Sequence, residues 1–391
     1  MSRSQQAIAA VAAILVLGGC GSDGGSGESA NQPTSNPTPS PTATAEMLAN
    51  AWTVGSVVSS EAGVPDEHVV LRSFDGGHTW IETFRGDASL AGISFADRRN
   101  GWAVGVDEVL RSEDSGATWV SQRSRVPVAI LQAIAVLARS SLRAIVVGGR
   151  QGTALGAPSL ILVTNDGGQT WTEAPITGGQ GGSLDRALLR AVCVSEADIG
   201  IAVGRGISDA SATVVRTLDG GATWHDITNL VSGGGAGSLL NLNAVGCVGQ
   251  NLWIVGQGTR QIVHSADGGM TWEDQTANIA PSGAFALFGT AFANATTGFA
   301  VGADGSMPVA FRTIDAGATW ERRPISGADG PGLLLGVALV SEGSATAVGL
   351  RGEEGNPQSS LTVTTDDGGG TWEATTASVD ALVLRAIARQ P

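Results

Sequence analysis

Seven aspartates recur under one spacing rule. Asp75, Asp114, Asp166, Asp219, Asp267, Asp315 and Asp367 each sit two residues after a Ser or Thr and five before a Trp. A carboxylate flanked by hydroxyls could act as a general acid or ligate calcium. A catalytic pair must converge on one bond, however, and seven equivalent copies along a chain are scattered instead. The shared pattern is Ser/Thr-x-Asp-x-Gly-x-Thr-Trp, running from Ser73–Trp80 (SFDGGHTW) to Thr365–Trp372 (TDDGGGTW). Its glycine permits backbone angles barred to other residues. Its carboxylate can accept backbone N–H groups as in an Asx-turn, and its indole can pack between sheets. The seven aspartates are therefore read as structural.

Other chemistry is restricted by residue types. All 22 basic residues are arginine, which removes Schiff-base lysines and the P-loop lysine. The four histidines, at 68, 78, 225 and 264, show no metal-ligand spacing. No cofactor and no metal are expected. A formal net charge of -14 argues against nucleic acid, where affinity comes from cations on phosphates.

The motif tryptophans fall at 80, 119, 171, 224, 272, 320 and 372, a period of about 40–50 residues that marks a repeat architecture. Each unit reads as four short strands. An apolar strand such as Leu188–Val194 is followed by a second ending in Val-Gly, as in Gly200–Gly204 (GIAVG). A third strand runs into the motif, and a fourth leaves it. Four strands per unit is the pattern of a propeller blade. Blade one lacks a first strand, and Ala381–Ala388 (ALVLRAIA) supplies one from the C-terminus. The expected fold is all-β: a seven-bladed β-propeller of four-stranded antiparallel blades over residues 47–391, closed by the C-terminal strand joining blade one. The other three of the 10 tryptophans, Trp52, Trp102 and Trp253, share one second-strand position and are expected to be buried.

Residues 1–19 carry Arg3 and the apolar run Ala7–Leu17, too short to span a membrane. Leu17-Gly18-Gly19-Cys20 follows. This resembles a bacterial lipoprotein signal, which implies cleavage before Cys20 and lipid on that cysteine. Residues 20–46 then read as a lipidated cysteine and a disordered Gly/Ser/Pro/Thr linker. The expected location is outside a bacterial membrane, anchored in the cell envelope.

The Ser/Thr-x-Asp-x-Gly-x-Thr-Trp motifs match the Asp-box, or BNR repeat. Together with strands such as Gly-Trp-Ala-Val-Gly (101–105), they resemble the photosystem II stability/assembly factor family over roughly residues 48–391. That resemblance implies a seven-bladed propeller acting as a non-catalytic assembly chaperone that binds a protein or peptide. Asp-boxes also occur in sialidases, but that mechanism needs a tyrosine nucleophile and this chain has no tyrosine. A glycan-binding module and an atypical glycoside hydrolase are the alternative readings. A monomer is expected.

Binding residues are sought where the blades differ. The second-to-third-strand loops and the blade connections vary, and variable loops on a rigid scaffold carry binding. Arg150, Arg205, Arg260 and Arg351 sit at or just after second-strand ends. Aligning the first strands puts Gly92, Gln132, Arg190, Asn243, Thr290, Gly336 and Arg385 in one column bordering the central channel. Arg190 and Arg385 are the candidates for an anionic group or acidic peptide, with Gln132 and Asn243 beside them. Arg72, Arg111, Arg216 and Arg312, just before the motifs, are read as structural or solvated. Cys193 and Cys247 lie in first strands of adjacent blades, open between a disulfide and two buried thiols.

Overall fold

Short apolar strands joined by glycine turns pair with their sequence neighbours, and seven such units close into a ring. In the computed structural model, residues 50–57, 66–125, 127, 129–136, 140, 142–150, 158–178, 187–206, 212–232, 240–279, 285–339, 343–353, 356–375 and 382–389 are described. They form seven sheets in the order of the repeats. Blade four is representative: Ala187–Val194 innermost, then Gly200–Gly206, Ala212–Thr217 and Trp224–Asp226, each antiparallel to the last. Blades four and seven carry a fifth, two-residue strand, Ile176–Thr177 and Ile325–Ser326, paired parallel at the outer edge. Blade one is completed by Leu382–Arg389, which pairs antiparallel with Ala51–Val57.

Each motif builds the same turn. In blade four the Thr217 hydroxyl donates to Asp219 Oδ1 at 2.7 Å and accepts the Gly221 N–H at 2.8 Å. Asp219 also accepts the Thr223 N–H at 2.9 Å and the Thr223 hydroxyl at 2.6 Å. The same bonds recur in the other six motifs. Thr170's hydroxyl and N–H, with the Thr164 hydroxyl, hold the Asp166 carboxyl down to about 2.

Trp52, Trp102 and Trp253 are fully buried. Trp52 Nε1 donates to the Ser115 carbonyl of the next blade's motif at 2.7 Å, and Trp253 Nε1 to the Ala316 carbonyl at 3.1 Å. Ser115 and Ala316 replace the glycine that follows Asp in the other motifs, and both keep its left-handed φ, 66° and 61°. The arginines before the motifs hold neighbouring elements. Arg111 lies 4.0 Å over Trp102, and Arg216 Nη1 donates to Gly268 O of the next motif.

Candidate functional site

The functional geometry starts from a packing constraint. In every blade the innermost strand has a register shift just after a buried leucine, and that leucine faces the glycine of the Val-Gly step. The pairs are Leu384–Gly55, Leu90–Gly105, Leu131–Gly148, Leu189–Gly204, Leu242–Gly256, Leu287–Gly302 and Leu334–Gly349. A β-carbon on Gly204 would lie 2.1 Å from the Leu188 carbonyl oxygen, and one on Gly105 1.7 Å from Ser89 O. The Val-Gly signature thus marks where the strand bulges against its neighbour. A β-bulge leaves one residue unpaired and re-aims its side chain.

In blade order from one to seven, the residues left unpaired just after these leucines are Arg385, Ala91, Gln132, Arg190, Asn243, Phe288 and Leu335. Gln132, Arg190 and Asn243 thus form a polar arc, and Arg385 stands between Leu335 and Ala91. Gly92, Thr290 and Gly336, placed in this column from the sequence, do line the central cavity, but they are paired, and the bulge position in their blades belongs to Ala91, Phe288 and Leu335. The cause is the bulge itself, which breaks the alternation; the offset is one residue at Gly92 and Gly336 and two at Thr290. Gly92 also lets the neighbouring inner strand approach closely, whereas Gly336 lies at ordinary contact distance from the next one. A β-carbon on Gly92 would lie 3.0 Å from Ala133 Cα, and one on Gly336 3.5 Å from Ala386 Cα.

The seven bulge residues line a central cavity of about 300 Å³. It lies toward the end of the ring that carries the second-to-third-strand loops, because the bulges fall near the starts of the inner strands. A second cavity of about 330 Å³ at the motif end is lined by Phe95, Phe292, Leu339 and Ile387 together with Ser94 and Arg389.

Hydrogen bonds organise the polar arc. Arg190 Nη1 donates to Asn243 Oδ1 at 3.4 Å, and Asn243 Nδ2 donates to Leu287 O at 2.8 Å, linking blades four, five and six. Arg385 Nε donates to Ser56 Oγ at 2.8 Å. Arg385 Nη1 and His68 Nδ1 are buried with no hydrogen-bond partner. Burial pulls the Arg385 guanidinium down to about 9, partly offset by the exposed Asp66 carboxylate. Burial, then the charge of Arg385, lowers His68. Ser56, His68, Phe288 and Leu335 were not singled out in the sequence. The glycine of each Val-Gly step, counted back to its leucine partner, is the signal that locates the last two.

The remaining candidates are placed elsewhere. Arg205 Nη1 donates to Asn241 Oδ1 at 2.8 Å, two residues before Asn243. Arg150 pairs with Glu173 on the outermost strand. Arg260 lies 3.4 Å from Asp274 and donates to Val231 O, and Arg351 donates to Gly327 O at 2.7 Å. Cys193 and Cys247 are joined by a disulfide between the inner strands of blades four and five, with 5.9 Å between Cα atoms. The seven motif aspartates stay in separate turns. Among the described residues no group of three or more His, Cys, Asp or Glu could hold a metal ion, and no helix is long and apolar enough to cross a membrane. Cys20, the linker and most of the variable loops lie outside the described residues.

Residues 82–204 match the family model described as Photosynthesis system II assembly factor YCF48. No curated protein matches the chain. Among solved structures, YCF48 bound to D1 peptide aligns at 18% identity and TM-score 0.48, covering 73% of this chain and 80% of that one. The GH74 xyloglucanase from Xanthomonas campestris aligns at 16% identity and TM-score 0.55, covering 74% of this chain and 45% of that one. A Hadza microbial sialidase aligns at 13% identity and TM-score 0.44, covering 84% of this chain and 63% of its own. The chain thus spans less than half of the xyloglucanase. At these identities the likeness is one of fold. The chain is a BNR/Asp-box propeller that resembles the assembly-factor family.

Proposed function

We propose that this propeller is a non-catalytic binding scaffold or assembly chaperone for a protein or peptide partner, held outside a bacterial membrane by lipid on Cys20. The observation that carries the binding reading is the bulge ring. It gathers Arg385, Gln132, Arg190 and Asn243 around one cavity, toward the end of the propeller that carries the variable loops. The match of residues 82–204 to the assembly-factor model supports a chaperone role. The anchor rests on the Leu17-Gly18-Gly19-Cys20 sequence and the linker that follows it.

Partner capture from solubilised membranes tests the binding reading. Wild type should enrich a defined partner, and Arg190→Ala/Arg385→Ala should recover several-fold less. Equal yield from both would reject the channel mouth as the docking site. Hydrolysis of a glycan panel, abolished by a carboxylate substitution beside the variable loops, would replace the binding reading with an enzymatic one. Metabolic labelling with a palmitate analogue should mark wild type and not Cys20→Ser.

A further inference from the structure

The lining of the central cavity is the reverse of the protein as a whole. The chain carries 36 acidic residues against 22 basic ones. The cavity lining contains Arg190 and Arg385 and neither Asp nor Glu. The two arginines belong to blades four and one, three steps apart in a ring of seven. They therefore line the same space of about 300 Å³ from well-separated blades. That volume admits one or two side chains and excludes a folded domain.

The ring is also amphipathic. Phe288 and Leu335 come from adjacent blades six and seven, and Leu335 neighbours Arg385 of blade one. We infer that the channel neck binds a carboxylate carried on an apolar group, supplied by an acidic side chain or a C-terminus of a partner peptide. Arg385 and Arg190 grip the carboxylate, and the apolar part rests against Phe288 and Leu335. Guanidinium groups suit this role, because their forked donors match a carboxylate. Arg385 has Nε already taken by Ser56 and Nη1 buried without a partner. A carboxylate in the cavity would offset the cost of a guanidinium charge that burial leaves poorly solvated. Asn243 orients Arg190 through its own bond to the Leu287 carbonyl. The apolar arc disfavours a bare anion, which leaves Phe288 and Leu335 uncovered.

This inference rests on the channel mouth as the partner site, and its test uses small probes to keep the two separable. Arginine Nε–H resonances of the full chain would be followed by NMR during titration with three N-acetylated dipeptides. Acetyl-Leu-Glu-amide offers a side-chain carboxylate, acetyl-Leu-Gln a terminal one, and acetyl-Leu-Gln-amide none. Saturable shifts at Arg385 and Arg190 are expected with at least one carboxylate probe, which also identifies the source. Arg190→Gln and Arg385→Gln should each weaken that binding roughly tenfold or more, the scale of a lost charge-assisted bond. Leu335→Asn, which keeps both arginines, should weaken the dipeptide and leave acetate unaffected.

No saturation by either carboxylate probe would overturn the inference, as would equal shifts from the neutral amide. Acetate binding as tightly as the dipeptides would reduce the site to a bare anion site and also overturn it. If the probes fail while partner capture still depends on Arg190 and Arg385, the scaffold reading stands and the carboxylate assignment falls.

Discussion

At the scale of single residues, the motif aspartates convert a hydrogen-bonding pattern into acid sensitivity. For Asp219, burial alone would raise the carboxyl, but Thr223 and Thr217 outweigh it and bring it to about 2, against an ordinary value of 3.8. A carboxyl depressed in the folded state stabilises that state above the unfolded value and loses the contribution as pH falls toward the folded one. The sign is shared by all seven motif aspartates. Thermal stability should therefore be flat above pH 5 and fall between about pH 4 and 2. Asp219→Asn should lower stability at neutral pH and shrink that acid-side fall, read from tryptophan fluorescence melts across pH. An unchanged slope would remove the carboxylate bonds as its cause. The second-strand tryptophans make a separate claim. Trp52→Phe keeps most of the ring packing but removes the donor to Ser115 O. It should cost about 1–2 kcal/mol in urea unfolding.

At the scale of elements, the inner strand explains both what was legible in the sequence and what was not. Blade count, strand order and ring closure were readable because the motif repeats at every turn and Leu384-Arg385-Ala386-Ile387 matches Leu189-Arg190-Ala191-Val192. The burial of Trp52, Trp102 and Trp253 was readable from their shared position. The bulge was not, because an unpaired residue breaks the period of two on which strand reading depends. Gly92, Thr290 and Gly336 were drawn into the column for that reason. Asn243 and Arg385 stayed in register because the leucine before each was aligned with them. Arg150 follows the Val-Gly-type end of its second strand as Arg205 does, with Arg351 and Arg260 one and three residues further on. Yet Arg205 meets Asn241 of the next blade while Arg150, Arg351 and Arg260 meet Glu173, Gly327 and Asp274, which only the folded chain reveals. The Cys193–Cys247 disulfide joins the same two inner strands that Arg190 and Asn243 join. Cys193→Ser/Cys247→Ser should cost about 2–4 kcal/mol, the usual range for a native disulfide. It should also weaken partner capture less than Arg190→Ala/Arg385→Ala. Mass spectrometry of unreduced, alkylated protein should recover the linked peptides, and full labelling of both cysteines would contradict the bond.

At the scale of the whole molecule, the ring depends on one strand borrowed from the far end of the chain. Leu382–Arg389 gives blade one its inner strand and buries Val383 and Leu384. Its Ala386 carbonyl accepts the Thr53 hydroxyl at 2.6 Å, and Arg385 reaches Ser56. Burying two such side chains contributes about 3–6 kcal/mol, a large part of the roughly 5–15 kcal/mol that holds a domain together. Deleting residues 382–391 would also leave Ala51–Val57 as an open sheet edge, a template for aggregation. The deletion should lose cooperative melting and sediment as aggregate. That result alone would not separate loss of closure from general damage, and the register supplies a stricter test. Arg389 pairs with Ala51, so the end of the borrowed strand lies beside the start of the second one. In blade four the equivalent ends, Val194 and Gly200, are joined by five residues. A circular permutant that joins Arg389 to Ala51 through a five-residue turn, and opens the chain between Gly86 and Leu90, makes blade one contiguous like the other six. If closure works through this pairing, the permutant should melt cooperatively within a few degrees of wild type and retain Arg385 in the channel, so that it still captures the partner. A permutant that folds but fails to bind would place the site outside the ring. One that does not fold would show that the borrowed strand pairs differently from the register seen here.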